Sequence, residues 1–221
     1  MSGAGVDLVL LDLDGTLTDS APGIVASYRH AFATLDVELD PGGIARCVGP
    51  PLREGLASLG MPLARMEEAV DAYRAYYAPH GIFDNRVYDG VLAMLTRLRD
   101  GGLPLGLATS KRVDFATDVL VHFELDGYFD VVSGATADGR LTHKAEIVTA
   151  ALLEAGVVGS DRVVMIGDRS HDVLGARANG VLPIGVVWGY GSRAELEDAG
   201  ARWIVESPAA VADLVLGLST A

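Results

Sequence analysis

Two carboxylates two residues apart, Asp12 and Asp14, close an apolar run and are followed by Gly15-Thr16-Leu17. On a strand, side chains alternate, so Asp12 and Asp14 project together while Leu13 points away. Carboxylates held that close repel, which tends to keep one protonated, as a general acid requires. A bound cation would relieve the repulsion and orient the other as a nucleophile. Gly15 lets the backbone turn close to a ligand. An isolated Asp-x-Asp-Gly reads better as an acidic strand end and a turn; Thr16 after an apolar strand tips the reading towards chemistry.

Three further polar clusters follow apolar runs or open helices. Thr109-Ser110 follows the run 103–108, where a hydroxyl and neighbouring backbone N–H groups could hold a phosphoryl oxygen. Taken alone, that pair reads as a turn or helix cap. Lys144 opens a helical stretch, where the helix dipole disfavours a cation. The chain has two lysines, Lys111 and Lys144, against fifteen arginines, so a lysine there suggests a compact charge for phosphate. Lys111 reads instead as a solvated surface lysine with at most a minor role beside Ser110. In Gly167-Asp168-Arg169-Ser170-His171-Asp172, the acids Asp168 and Asp172 suit Mg²⁺, a hard cation that takes a few carboxylates and keeps waters. His143 and His171 read as polar loop residues, because the carboxylate pair already supplies acid–base function. Cys47 lacks an activating partner and reads as structural.

These clusters need a scaffold that brings them together. The runs 6–12, 103–108, 131–133, 162–166 and 182–187 are short and apolar, as in strands buried on both faces. Helical patterns at 91–99, 113–123, 145–155 and 172–179 alternate with them. That alternation predicts an α/β fold with a parallel sheet covered on both sides. Ligands bind such sheets beyond the carboxyl ends of the strands, and all four clusters fall there. Residues 18–87 break the rhythm with helices only: one starting at Ser20-Ala21-Pro22, one over 52–59 and one over 66–77. Roughly seventy residues are too many for a structureless connection. The expected organisation is an α/β core of residues 1–17 and 88–221 with a helical cap of residues 18–87 inserted after the first strand.

Composition narrows the classes. The net charge of −13 argues against a nucleic-acid polymer as partner, so an anionic substrate needs a local positive centre. Cys47 is the only cysteine, which rules out an intrachain disulfide and suits a reducing compartment. Met1-Ser2-Gly3-Ala4-Gly5 lacks the basic region of a secretory signal, and the first apolar run is too short to span a bilayer. The expected location is cytoplasmic, with no membrane partner and no feature that sets an oligomeric state.

Together the clusters resemble the haloacid dehalogenase superfamily over nearly the whole chain. Asp12-Leu13-Asp14-Gly15-Thr16-Leu17 is similar to its first motif, Thr109-Ser110 to the second, Lys144 to the third, and Asp168 with Asp172 to the fourth. The resemblance implies a Rossmann-like core with the first strand central and a helical C1 cap. It further implies a phosphatase in which Asp12 attacks phosphorus to form an aspartyl-phosphate and Asp14 serves as acid and then base. Mg²⁺ would be held by Asp12, the Asp14 backbone carbonyl and Asp168, with Asp172 acting through water or by orienting ligands. The phosphate contacts would be Thr109, Ser110 and Lys144.

Within the superfamily the chain is similar to phosphoglycolate phosphatases. Gly167-Asp168-Arg169, Gly175-Ala176, Asn179-Gly180 and Trp188-Gly189-Tyr190-Gly191 resemble a branch named for 5′-nucleotidase. Lys144 departs from the common pattern in being followed by Ala145 rather than proline. The implied substrate is a small-molecule phosphomonoester, phosphoglycolate-like or a nucleoside monophosphate. Asp14 argues against a dehalogenase, and the lysine-free segment 18–87 argues against a phosphonatase. A phosphosugar mutase is the enzymatic alternative; a receiver-type signalling domain or a silent phosphate binder fits less well. Arg46 and Arg53, either side of Gly49-Pro50-Pro51, read as exposed arginines that could serve a substrate anion.

Overall fold

Every residue of β1 (Leu8–Leu11) is buried, because both faces of the strand are covered. The computed structural model describes residues 5–40, 42–48 and 50–220, apart from the side chains of Ala45 and Arg46. The readings of Met1 to Ala4, Gly49 and the Arg46 side chain therefore lie outside the described residues.

The chain runs β1, β2 (Thr18–Asp19), α1 (Ala21–Thr34), α2 (Leu52–Ser58), α3 (Met66–Tyr76), β3 (Arg86–Val87) and α4 (Val91–Asp100). It continues through β4 (Leu105–Arg112), α5 (Val113–His122), β5 (Val131–Ala135), α6 (Lys144–Ala155), β6 (Val163–Gly167) and α7 (Ser170–Ala178). It ends with β7 (Leu182–Val186), α8 (Arg193–Ala199), β8 (Trp203–Val205) and α9 (Pro208–Thr220). Six strands form one parallel sheet in the order β5-β4-β1-β6-β7-β8, with β1 between β4 and β6. Alternation along β1 sends Val9 and Leu11 to a face packed with Leu95 and Leu98 of α4 and Val211 and Val215 of α9. Leu8 and Leu10 face Ile147 and Ala151 of α6 and Ala176 of α7. The α/β architecture read from the sequence is thus the observed one. The sequence reading did not place β8, α8 or α9.

Between β1 and α4 lies a helical insert built on the packed side chains of Tyr28, Phe32, Leu56 and Val70. Its apolar residues join the cluster on one face of the sheet without a break. The expectation of helices alone over 18–87 needs one correction. The insert opens and closes with a two-stranded antiparallel ribbon, Thr18 opposite Val87 and Asp19 opposite Arg86. Strands of two residues carry no readable alternation, and their pairing spans the whole insert. The Arg86 guanidinium clamps the ribbon by donating to Asp19 Oδ2 at 2.9 and 3.1 Å.

Candidate active site

Strand β1 delivers Asp12 to the carboxyl edge of the sheet, where its N–H donates to the Ile166 carbonyl of β6 at 2.9 Å. Lys144, the first residue of α6, reaches under the same edge. Its Nζ lies 2.9 Å from Asp12 Oδ1 and 2.8 Å from Asp172 Oδ1, and donates to the Ala108 carbonyl at 2.9 Å. All three side chains are almost fully buried. A lysine in the first turn of a helix, unfavourable by itself, is here fixed by two carboxylates. Burial pushes Asp12 up to about 6; Lys144 opposes that shift and Asp172 adds to it. Burial would depress Lys144, but Asp12 and Asp172 hold it above its ordinary value. Asp172 keeps its charge despite burial, chiefly because of Lys144, and its other oxygen accepts the Arg169 N–H at 3.0 Å.

Asp168, at the end of β6, is fully buried. Its Oδ1 accepts the Thr16 hydroxyl at 3.3 Å and its Oδ2 the Tyr190 N–H at 2.7 Å. Burial, then Asp172 and Asp12, push its carboxyl up to about 8. Two glycines make room for it. Gly15 has φ +85°, and a Cβ there would meet Asp168 Oδ2 at 2.3 Å. At Gly189 a Cβ would lie 2.5 Å from the same oxygen. Trp188 Nε1 donates to the Thr16 carbonyl at 3.0 Å, so the loop after β7 is tied to the loop after β1.

The structure corrects the reading of Lys111 as a solvated surface lysine. Its side chain is 6% exposed, and Nζ donates to Asp14 Oδ1 at 2.7 Å and to the Tyr77 hydroxyl at 2.6 Å. Tyr77 follows α3 in the insert, so Lys111 owes its burial to a residue distant in sequence. Thr109 is buried, and its hydroxyl accepts the Lys111 N–H at 3.2 Å. Asp14, Ser110, Lys111 and His143 line a cavity of about 550 Å³ between the sheet edge and the insert. A run of rings, Tyr28, Tyr73, Tyr77 and Phe115, forms an aromatic wall with centroids 5.0, 5.6 and 5.3 Å apart. His171 is a second correction, since it lies within α7 rather than in a loop. Its Nε2 sits 3.8 Å from Asp172 Oδ1, and burial holds its pKa below the ordinary value. Asp172 accepting the Arg169 N–H draws the helix start back to Ser170.

Cys47 is buried within 3.7 Å of the Gly43 carbonyl and 3.4 Å of the Ser58 hydroxyl, as its structural reading requires. Arg53 is exposed and paired with Glu67. The sequence reading did not assign Tyr77 or Tyr190 a site role. Tyr190 had a signal in the Trp188-Gly189-Tyr190-Gly191 run after a predicted strand, at the ligand edge; Tyr77 had none.

Asp12 and Asp172 share the ammonium of Lys144, while the third buried carboxylate, Asp168, makes no ion pair with it and feels both acids. Burial first, and then the neighbouring acids, raise the pKa values of Asp12 and Asp168. Hard oxygen donors with unbalanced charge fit a divalent cation such as Mg²⁺. Oxygens of Asp12 and Asp172 and a His171 nitrogen also lie within 4.8 Å of one another. Lys144 already contacts the Oδ1 atoms of Asp12 and Asp172, which leaves the second Asp12 oxygen and neighbouring Asp168 as the better-suited carboxylate donors.

Residues 9–186 match the haloacid dehalogenase-like hydrolase family. The chain belongs to that family. It is 42% identical over 190 residues to a 5′-nucleotidase of Pseudomonas aeruginosa, covering 85% of this chain and 86% of that protein. It is 41% identical over 213 residues to the tyrosine-protein kinase PtkA of Mycobacterium tuberculosis H37Rv, covering 96% of this chain and 72% of PtkA. The crystal structure of a "predicted phosphatase" from Clostridium acetobutylicum superposes with a TM-score of 0.91 at 40% identity, covering 96% of this chain and 99% of that one. This member of the family is a hydrolase of the phosphatase type.

Proposed function

We propose that the chain hydrolyses a small-molecule phosphomonoester with Mg²⁺, using Asp12 as nucleophile and Asp14 as acid and base. The observation that carries this reading is the arrangement of charge at one sheet edge. Asp12 is braced by Lys144, while Asp14 lines the adjoining cavity beside Lys111. An Asp12 oxygen attacks phosphorus, the ester bond to the leaving oxygen breaks, and Asp14 gives that oxygen its proton. Asp14 then takes a proton from water, which attacks the aspartyl-phosphate and releases phosphate. Lys144 and the Ser110 and Thr109 region offset charge on the phosphoryl oxygens. Asp12, Asp168 and the Asp14 backbone carbonyl would hold Mg²⁺, which supplies charge neutralisation. Asp172, with one oxygen on Lys144 and the other on the Arg169 N–H, serves as a positioning residue.

The insert, residues 18–87, acts in this reading as a cap that selects the leaving group and excludes water. Phosphoglycolate-like esters and nucleoside monophosphates are the candidate substrates, the latter matching the name of the Pseudomonas relative. No helix among the described residues is long and apolar enough to cross a membrane. A cytoplasmic location belongs to the same reading. The relative named a tyrosine-protein kinase raises a second one, transfer of the phosphoryl group from a nucleotide to a tyrosine hydroxyl instead of to water. Phosphate release from phosphoglycolate, nucleoside monophosphates and sugar phosphates, with and without Mg²⁺, tests the first reading. ATP with a tyrosine peptide tests the second. Mg²⁺-dependent release is expected, and no release across the panel would sink the phosphatase reading.

A further inference from the structure

Arg74, on α3, lines the cavity together with Arg53 and Arg112. Its two companions already have carboxylates. Arg53 donates to both oxygens of Glu67 at 2.7 Å, and Arg112 makes a two-pronged contact with Asp114. The Arg74 guanidinium has no hydrogen-bond or ion-pair partner among the described residues. Asp71, Asp114 and Glu67, the last already paired with Arg53, act on it only from beyond ion-pair distance. Glu54 also lines the cavity, but it is exposed and makes no ion pair with Arg74. Burial and the charges of Arg112 and Arg53 both work against the Arg74 cation. The empty-handed guanidinium is thus a cost that an anion in the cavity would offset.

The same cavity runs from the buried Asp14 and Lys111 to these more exposed arginines. Asp14, two residues from Asp12, is the acid that lines the cavity, so a molecule whose phosphoryl group enters past Asp14 towards Asp12 would extend its leaving group along the cavity that Arg74 lines. We infer that Arg74 recognises an oxyanion on the leaving group, a carboxylate or a second phosphate, and so sets specificity for small phosphate esters that carry a second anionic group. The guanidinium fork matches either group with two hydrogen bonds. Arg53 and Arg112 add positive potential around it while staying with their own carboxylates. This inference rests on the phosphatase reading and names its substrate class.

Three esters that differ only in their distal group provide the test: ethyl phosphate, phosphoglycolate and glycol bisphosphate. Wild type is expected to prefer one of the esters with an anionic distal group over ethyl phosphate in kcat/KM. Arg74→Gln should reduce that preference about tenfold or more, and Arg74→Lys should recover part of it. Which of those two esters loses more identifies carboxylate or phosphate as the partner. An unchanged preference in Arg74→Gln overturns the inference. Affinities of the same esters measured by calorimetry in Asp12→Asn, with and without Arg74→Gln, decide the matter without turnover. If no ester is hydrolysed, the phosphatase reading fails. The calorimetric comparison still supports or refutes the anion subsite. A well-folded Arg74→Gln whose affinities for all three esters match those of its parent would eliminate it.

Discussion

Lys144, buried beneath the sheet edge, and Arg53, on the insert side of the cavity, hold their charges in opposite ways. Lys144 is 2% exposed and locked between two buried carboxylates, whereas Arg53 is 54% exposed and pairs with Glu67, itself 79% exposed. At the sheet edge, each charge is fixed by groups from β1, β4, α6 and α7, so moving one unbalances the others. On the insert, charges pair locally in water, where such pairs contribute little to stability. The sheet edge can therefore hold one chemistry rigidly while the insert changes side chains at small cost. Substitutions in the two regions should differ accordingly.

The largest expected effect is at Asp12. Asp12→Asn should lower turnover by roughly a thousandfold or more, because the nucleophile is lost, not merely misplaced. The fold should survive, since the amide keeps the shape and removes a carboxylate that burial disfavours. Kinetics and a thermal melt check both halves, and wild-type-like turnover would refute the nucleophile assignment. Next come the two lysines. Lys144→Ala leaves Asp12 and Asp172 buried without a counter-charge, a loss of about 3–5 kcal/mol by comparison with other broken buried pairs. Lys111→Ala leaves Asp14, which opens on the cavity and can be hydrated, so its stability cost should be smaller. Lys144→Ala should also reduce phosphate handling more. Equal effects in denaturant melts and kinetics would undo the contrast between a locked edge and an adaptable cavity.

Metal removal should expose the same surplus of charge as a pH dependence. The folded-state pKa values of Asp12 and Asp168, about 6 and about 8, lie above the ordinary carboxylate value of about 4. At these two groups the folded protein binds more protons than the unfolded chain, so their contribution to stability is fully present at low pH and falls as pH rises through those values. His171, whose pKa is lowered, acts in the opposite sense, but only up to its ordinary value of 6.5. Between about pH 6.5 and 8 the Asp168 effect is left largely unopposed. Melting temperatures in chelator should therefore fall across that interval, and saturating Mg²⁺ should flatten the slope. A flat or rising profile without metal would contradict the charge surplus.

What could be read from the sequence follows the same division. Asp12, Asp14, Lys144, Asp168 and Asp172 were legible because strand ends of a parallel sheet converge, so position along a strand implies proximity in space. The β1, β4 and β6 runs announced themselves by continuous apolar residues. Lys111 was misread because its burial depends on Tyr77, supplied by the insert, and no local pattern reports that meeting. The ribbon of β2 and β3 was missed for a related reason: two residues show no period, and its partner strands are separated by the insert. His171 falls inside its helix because α7 starts two residues before the expected position, at Ser170, where the Asp172 side chain accepts the Arg169 N–H. Periodicity reads what neighbours in sequence do together, and the insert side of the cavity is made by residues that are not neighbours.

The smallest expected effect lies where the two regions join. Tyr190 holds Asp168 through its backbone N–H, while its hydroxyl accepts the Ala21 N–H at 2.9 Å and donates to Asp19 Oδ1 at 3.1 Å. One residue thus ties the acids at the sheet edge to the first turn of α1, through atoms that can be separated by mutation. Tyr190→Phe keeps the ring and the backbone bond but removes the hydroxyl that meets Ala21 and Asp19 and also faces Ser20 and Tyr88. The Ala21 N–H, in the first turn of a helix, is then left to water, and Asp19 keeps Arg86. A loss of about 1 kcal/mol follows from one ordinary hydrogen bond. Because the Asp168 contact is untouched, kcat should change less than KM, whose value depends on how the insert sits over the cavity. Proton exchange at α1 amides should quicken while β1 amides stay protected. A variant that lost kcat instead would mean that the hydroxyl supports the acids directly, and that the junction belongs to the chemistry of the sheet edge rather than to the seating of the insert.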